Sequence, residues 1–302
     1  TISANATNNG GISQKVNVNS GVTLTNNAAL GSDSGVVTNS GTINTSASNI
    51  KGAVTNNNTV NLSGGTLAKA ISGSGTTNIT GIVSSNSAIS QAISIASAGD
   101  LTISASNVGG NVTNAGDLIL NGGTLSKAVT GSGKTSITGA VTANSAISQA
   151  ISIAASGDLT ANAGNIGGAV TNAGDLILTG GTLSKVVSGS GKTTITGNTT
   201  NNSGINQGVS VNSGVTLTNN AALGSENGAI TNSGTITSNA GNIKGTVTNN
   251  NTLNLSGGTL SKAVSGSGTT NITGAVTSNS AISQAINIIA AGDLTISAGN
   301  IG

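Results

Sequence analysis

The phrase "SAISQAISIA" begins at Ser87 and again at Ser145, and variants of it begin at Gly10, Ser203 and Ser280. Repetition at a fixed period constrains a fold more tightly than local propensity, because a short unit buries its apolar face only by stacking on its neighbours. The successive spacings are 77, 58, 58 and 77, and the two values differ by 19. That difference predicts a module of the same length, repeated three times in the shorter spacing and four times in the longer. A second motif runs from a β-branched residue through a polar turn into an alternating apolar pair, as in "VVTNSGTI" (36–43) and "AVTNAGDLIL" (169–178). The first residue of the pair falls at Val22, Ile43, Val60, Thr77, Leu101, Leu118, Thr135 and Leu159, then at Leu176, Thr193, Val215, Ile236, Leu253, Thr270 and Leu294. Alternation on every second residue is the period of a strand, not of a helix.

The fold expected is all-β, a right-handed parallel β-helix (β-solenoid) of about 19 residues per coil and roughly 15 coils. It is expected to run through 1–302 as one continuous array without a second domain. Turns rich in Gly and Asn separate the strands, since these residues tolerate left-handed backbone. Unequal steps, such as Val60 to Thr77, Val22 to Ile43 and Thr77 to Leu101, favour coils whose turns vary in length. Residues 1–109 recur as 194–302, Thr1 matching Thr194 and Gly109 matching Gly302, an offset read as ten coils. The pattern is cut at both ends, which suggests part of a longer array or a unit that stacks end to end.

Composition removes most chemistry. The chain has no His, Cys, Met, Pro, Arg or aromatic residue, and its nine cations are all Lys. Imidazole bases, thiolate nucleophiles and zinc, haem or iron–sulfur ligation of the usual kinds are therefore excluded. No side chain offers a stacking platform for sugars or single-stranded nucleic acid. A formal charge of +2 over 302 residues is too weak to track a phosphate backbone, so no nucleic-acid partner is expected. The apolar runs are too short to cross a membrane as helices.

Several constellations still invite a functional reading. "GSGKTS" (131–136) resembles a phosphate loop, but Ala128 stands where the first Gly belongs, and no helix-like segment follows. Its counterparts carry Thr76 and Thr269 in the Lys position, and Thr135 is expected to point inward, so the segment reads as a turn. Asp100, Asp117, Asp158, Asp175 and Asp293 share the position before the apolar pair with Lys134 and Lys192. Stacked about 4.8 Å apart, Asp100 and Asp117 could suit a glycosidase or a calcium site. A solvated column with Lys134 between Asp117 and Asp158 is the simpler reading. Lys69, Lys127, Lys185 and Lys262 recur in "TLAKA"-type phrases and are expected along one side, as a solubilising edge or a contact for an anionic glycan. Asn39, Asn114, Asn172 and Asn232 are expected to form a turn-stabilising amide ladder. Outward Thr ladders could in principle bind ice, but T-x-T does not persist from one coil to the next in sequence, so no ice-binding face is expected.

The phrases "VTNSGTI", "VTNAGDLIL", "VTNNNTLNLSGGTL" and "AGDLTIS" resemble those of bacterial type V secreted surface proteins, the β-helical passenger regions of autotransporters and haemagglutinin-type adhesins. The resemblance covers the whole chain. It implies an extracellular location on a bacterial cell surface and a rod that presents an adhesive tip or itself binds host surfaces or sibling cells. No catalytic motif carries over, and catalytic, cofactor-binding and metal-binding residues are all expected to be none. The function expected is a non-enzymatic stalk or surface-fibre repeat, the alternative being a subunit that stacks end to end into a filament. The partners expected are self, coil on coil, or a cell-surface glycan. An enzyme on the same fold, a polysaccharide lyase or hydrolase, is the third class considered.

Overall fold

Position-by-position stacking organises the strands of the described residues. The computed structural model describes all residues except Asn300 and Gly302, so the last position of the long repeat, Gly302, lies outside the described residues. Short parallel strands stack about 17 residues apart, giving a β-solenoid of about 17 turns. The only helical pieces among the described residues are four single turns, Ala47–Asn49, Ala105–Asn107, Ala163–Asn165 and Ala240–Asn242. The chain divides into two units, Thr1–Ile151 and Ser152–Gly302.

Most strands of the first unit fall into three ladders, while Gly123–Leu125 and Ala140–Ala143 pair apart from them. One stacks Val16–Val18, Val37–Asn39, Val54–Asn56 and Ile71–Ser72. The second stacks Thr23–Asn26, Thr42–Thr45, Thr59–Leu62, Thr76–Ile79 and Ala92–Ile95. The third stacks Gly65–Leu67, Ile82–Ser85, Asp100–Ile103, Asp117–Leu120 and Lys134–Ile137. Each coil visits the three in turn. Buried and water-facing residues alternate along the strands, so Leu101, Ile103, Leu118 and Leu120 form interior columns with almost no exposure. The second unit repeats the plan: Thr216–Asn219, Thr235–Ser238, Thr252–Leu255 and Thr269–Ile272 form one of its ladders.

The coil is shorter than the sequence arithmetic predicts, and the coils are more numerous: about 17 residues in each and about 17 turns in all. The reason is visible around the repeated phrase. Ile89 stacks between Ile71 and Val108, whereas Ile147, its counterpart in the next copy, stacks on Val129 in the column that runs through Ile93 and Val112. The path from Ile93 to Ile147 makes three coils, and the step from Ile89 to Ile93 at the next ladder completes the interval. The spacing from Ser87 to Ser145 is therefore three coils and one further side, not three coils. The same holds in the second unit, where Ile205 stacks with Val187 and Leu223, while Ile282 stacks with Val264 in the column that passes through Val247 and Ile230. The longest steps between apolar pairs are likewise one coil plus a move to another ladder: Thr77 lies beside Ile93, and Leu101 beside Val83. At about 17 residues per coil, the offset from Thr1 to Thr194 is longer than ten coils.

Corners absorb variation that strands do not. The step from Val16 to Val37 is longer than the usual coil, and the extra length loops out at Ser32–Gly35, where the two residues exchange backbone hydrogen bonds of 3.2 and 3.1 Å. One glycine inserted beside Asp33 is therefore expected to leave the melting temperature within a few degrees of the parent's. The same insertion between Leu118 and Ile119 turns one end of a strand inside out, and thermal melts are expected to show it strongly destabilised.

Candidate functional site

The phosphate-loop mimic is resolved by the strand it lies on. Lys134–Ile137 is a strand, and Thr135 is fully buried, its hydroxyl accepting a hydrogen bond of 2.7 Å from Gln149 Nε2. The glycines before it have a local cause. Gly131 sits at φ +114°, and a Cβ there would lie 2.1 Å from the carbonyl oxygen of Asn114 in the coil below. At Gly133 the same atom would meet the Gly116 oxygen at 2.2 Å. "GSGK" is thus how the chain passes closely over the preceding turn.

The buried Gln–Thr pair recurs and was missed from the sequence. Gln91, Gln149, Gln207 and Gln284 each donate to a Thr fourteen positions earlier: Thr77, Thr135, Thr193 and Thr270. The signal was present as a Gln held at a constant distance from an inward Thr in each of these copies of the phrase. Gln149 Oε1 and Gln207 Oε1 are buried with no hydrogen-bond partner among the described residues.

The acidic column forms as expected at its first three positions. Asp100 stacks on Asp117, and Asp117 on Lys134, whose Nζ lies 3.8 Å from the Asp117 carboxylate. The Asp117 and Lys134 side chains are about half exposed, and a pair in that setting contributes only about 0–1 kcal/mol. In the second unit Asp158 stacks on Asp175, and Asp175 on Lys192, in the same order of two acids and a cation. No three acidic side chains gather as a metal would need, among the described residues.

The four recurrent Lys residues do not share one side. In the first unit Lys69 follows Leu67, which stacks on Ser85, whereas Lys127 follows Leu125, which stacks on Ala143 in another ladder. In the second unit Lys185 follows the strand Gly181–Leu183, stacked on Thr199–Asn201, and Lys262 follows Gly258–Leu260, stacked on Ala275–Ser278. The cause is the extra side taken up between copies of the phrase. Two of these Lys residues reach acids on the corner loops instead. Lys69 pairs with Asp33, and Lys262 with Glu226 at 2.5 Å, each 36 residues back. The hydrogen bond from the ammonium, and then its charge, hold both carboxyls below their usual ranges.

The four asparagines also occupy more than one column. Asn39 Nδ2 donates to Asn56 Oδ1 at 2.7 Å and Asn232 to Asn249 at 2.7 Å, giving two-rung ladders. Asn114 and Asn172 instead donate to the Lys134 and Lys192 carbonyls, at 2.9 and 3.0 Å, while accepting from Gly116 and Gly174. A longer ladder runs outside the core: Asn78 donates to Asn61 at 2.8 Å and Asn61 to Asn44 at 2.6 Å.

One concavity of the second unit is bordered by a corner loop. It is an open cavity of about 400 Å³ bordered by Gly189–Lys192 and the loop at Ser225, Asn227 and Gly228, with Lys192 its one titratable group. Compared with models of known protein families, with curated proteins and with solved structures, the chain matches none.

Two measurements check this site. Replacing Thr135 by Val alone leaves the Gln149 amide without its partner and is expected to destabilise by about 1–3 kcal/mol. Combining it with Gln149→Leu removes the buried amide as well, and chemical denaturation is expected to recover most of that loss. For the corner pairs, a lowered folded-state pKa means that their stabilisation is present above the unfolded pKa and fades as pH falls through the folded one. Carboxyl NMR titration is expected to find Asp33 and Glu226 below free Asp and Glu, returning toward them in high salt.

Proposed function

We propose that this chain is the length-giving part of a non-enzymatic bacterial surface protein, a stalk or fibre repeat that holds other groups away from the cell. The supporting observation is the interchangeability of its coils. The same phrase serves at different sides of the solenoid, with Ile89 in one column and Ile147 in another, both fully buried. A chain selected for one specialised site diversifies the coils around it, whereas one selected for extent keeps every coil a suitable neighbour for the next. The phrases shared with type V secreted surface proteins support an extracellular location and a cell-surface or glycan partner.

Antibodies raised against the purified chain test the reading. Intact source cells are expected to be labelled without permeabilisation, and labelling only after permeabilisation overturns the proposal. Electron microscopy of the purified chain separates stalk from filament. Single particles agree with the stalk, and long uniform fibres of stacked chains favour the filament subunit instead.

A further inference from the structure

Within each unit the structure gathers into one face Thr residues that the sequence scatters. In the first unit, Thr23, Thr42, Thr59 and Thr76 lie directly beside one another on successive rungs. Two positions along the same strands, Thr25, Asn44, Asn61 and Asn78 form a second row. All eight side chains are half-buried, and the residues between and beyond the rows, such as Leu24, Ile43, Val60 and Leu62, are core. The second unit builds the same face from Thr216, Thr235, Thr252 and Thr269 beside Thr218, Thr237, Asn254 and Asn271. T-x-T itself does not persist, as the sequence indicates, since only Thr23 and Thr25 keep it in the first unit; what continues from rung to rung is a Thr row beside a row of Thr and Asn. Neighbours in space are a whole coil apart in sequence, as Thr23, Thr42 and Thr59 are, and the second row carries Asn as well as Thr.

We propose that these paired rows are an ice-binding face. The argument is one of spacing, charge and rigidity. Successive rungs are about 4.8 Å apart and the two rows about 6.7 Å apart along the strands. Water joined tetrahedrally through hydrogen bonds of about 2.75 Å repeats at about 4.5 Å in one direction and about 7.3 Å across it. The mismatch is about 0.6 Å across the rows and about 0.3 Å per rung, reaching only about 1 Å over four rungs, which rotating Thr hydroxyls accommodate. A charged group keeps its own hydration shell and breaks such a lattice. These rows carry none, although the corresponding positions of another ladder in the same unit are Asp100, Asp117 and Lys134. The Asn side chains of the second row are also ordered before any contact: Asn44, Asn61 and Asn78 are linked by amide hydrogen bonds, and Asn271 donates to Asn254 at 2.8 Å. Little side-chain freedom remains to be lost on binding.

The test uses the whole 302-residue chain in thermal hysteresis and ice-recrystallisation assays. The parent is expected to shape ice crystals and to separate freezing from melting. Thr59→Tyr with Thr252→Tyr, one ring raised from each face, is expected to lose most of that activity while its melt stays cooperative. If the Tyr pair does not fold, Thr59→Lys with Thr252→Lys reads the same face with a charge. Thr102→Tyr, outward on the acidic ladder, is expected to retain full activity. A parent without ice shaping or hysteresis overturns the proposal. So does equal loss in the Thr102 variant, a folded Tyr or Lys pair with full activity, or binding to crystalline chitin or cellulose without binding to ice.

Discussion

Like must stack on like, and most features of the molecule follow from that constraint. In a parallel ladder each residue lies about 4.8 Å from its counterparts in the coils above and below. A side chain that its own image tolerates can be used repeatedly, and one that it repels cannot. Val, Ile and Leu stack indefinitely in the interior. Asn stacks by donating its amide to the next carbonyl, as Asn39 does to Asn56. Asp stacks on Asp for two rungs only: Asp100 and Asp117 are followed by Lys134, and Asp158 and Asp175 by Lys192, where a third carboxylate would add repulsion. At the tightest turns only Gly serves: a Cβ on Gly116 would lie 2.1 Å from the Gly99 oxygen below it. A narrow interior filled by three inward strands per coil leaves little room for rings, consistent with a chain that has none.

The strand content, the parallel stacking and the inward direction of Thr135 were legible in the sequence, because alternation and turn chemistry are local properties. The coil length was not. Sequence similarity reports which segments are chemically equivalent, and the sides of this solenoid are equivalent to one another. A phrase can therefore recur after three coils and one further side with no penalty in packing, as Ile89 and Ile147 do. A spacing of 58 then divides plausibly into units of 19 although the coil is about 17 residues. Every error about surface columns has this root. Lys69 and Lys127 share a phrase but not a ladder, while Thr23 and Thr42 share a ladder without a long shared phrase.

The buried Gln–Thr pairs escaped notice for a different reason. A Gln in a polar, Ser-rich phrase reads as a corner residue facing water, and only the folded chain shows it 1–7% exposed and donating across the interior. Such a pair gives the core a polar contact that apolar side chains cannot replace without loss at the partner. It also fixes the offset between an inward Thr and the following corner, in a structure whose apolar columns are otherwise free to exchange places. Register is most weakly specified where neighbouring strands look alike, and here nearly all of them do. One buried amide in each of four copies of the phrase is a physical means of choosing among near-equivalent registers.

Equivalence of the sides also determines how such a surface can change. Duplicating the block between two copies of the phrase moves each outward residue to a different ladder. A group that is useful on one side is then dispersed around the solenoid and not lengthened into a stripe. Extending a single stripe requires whole coils, as in the equal steps from Thr42 through Thr59 to Thr76 and from Asp100 through Asp117 to Lys134. The interior accepts both kinds of change, since each leaves Val, Ile or Leu facing inward. The exterior distinguishes them. A face composed of consecutive whole-coil steps, uncharged and with its Asn row cross-linked by its own amides, is thus one that duplicating the shorter block does not build within a unit; the second unit's copy of it follows from the recurrence of 1–109 as 194–302.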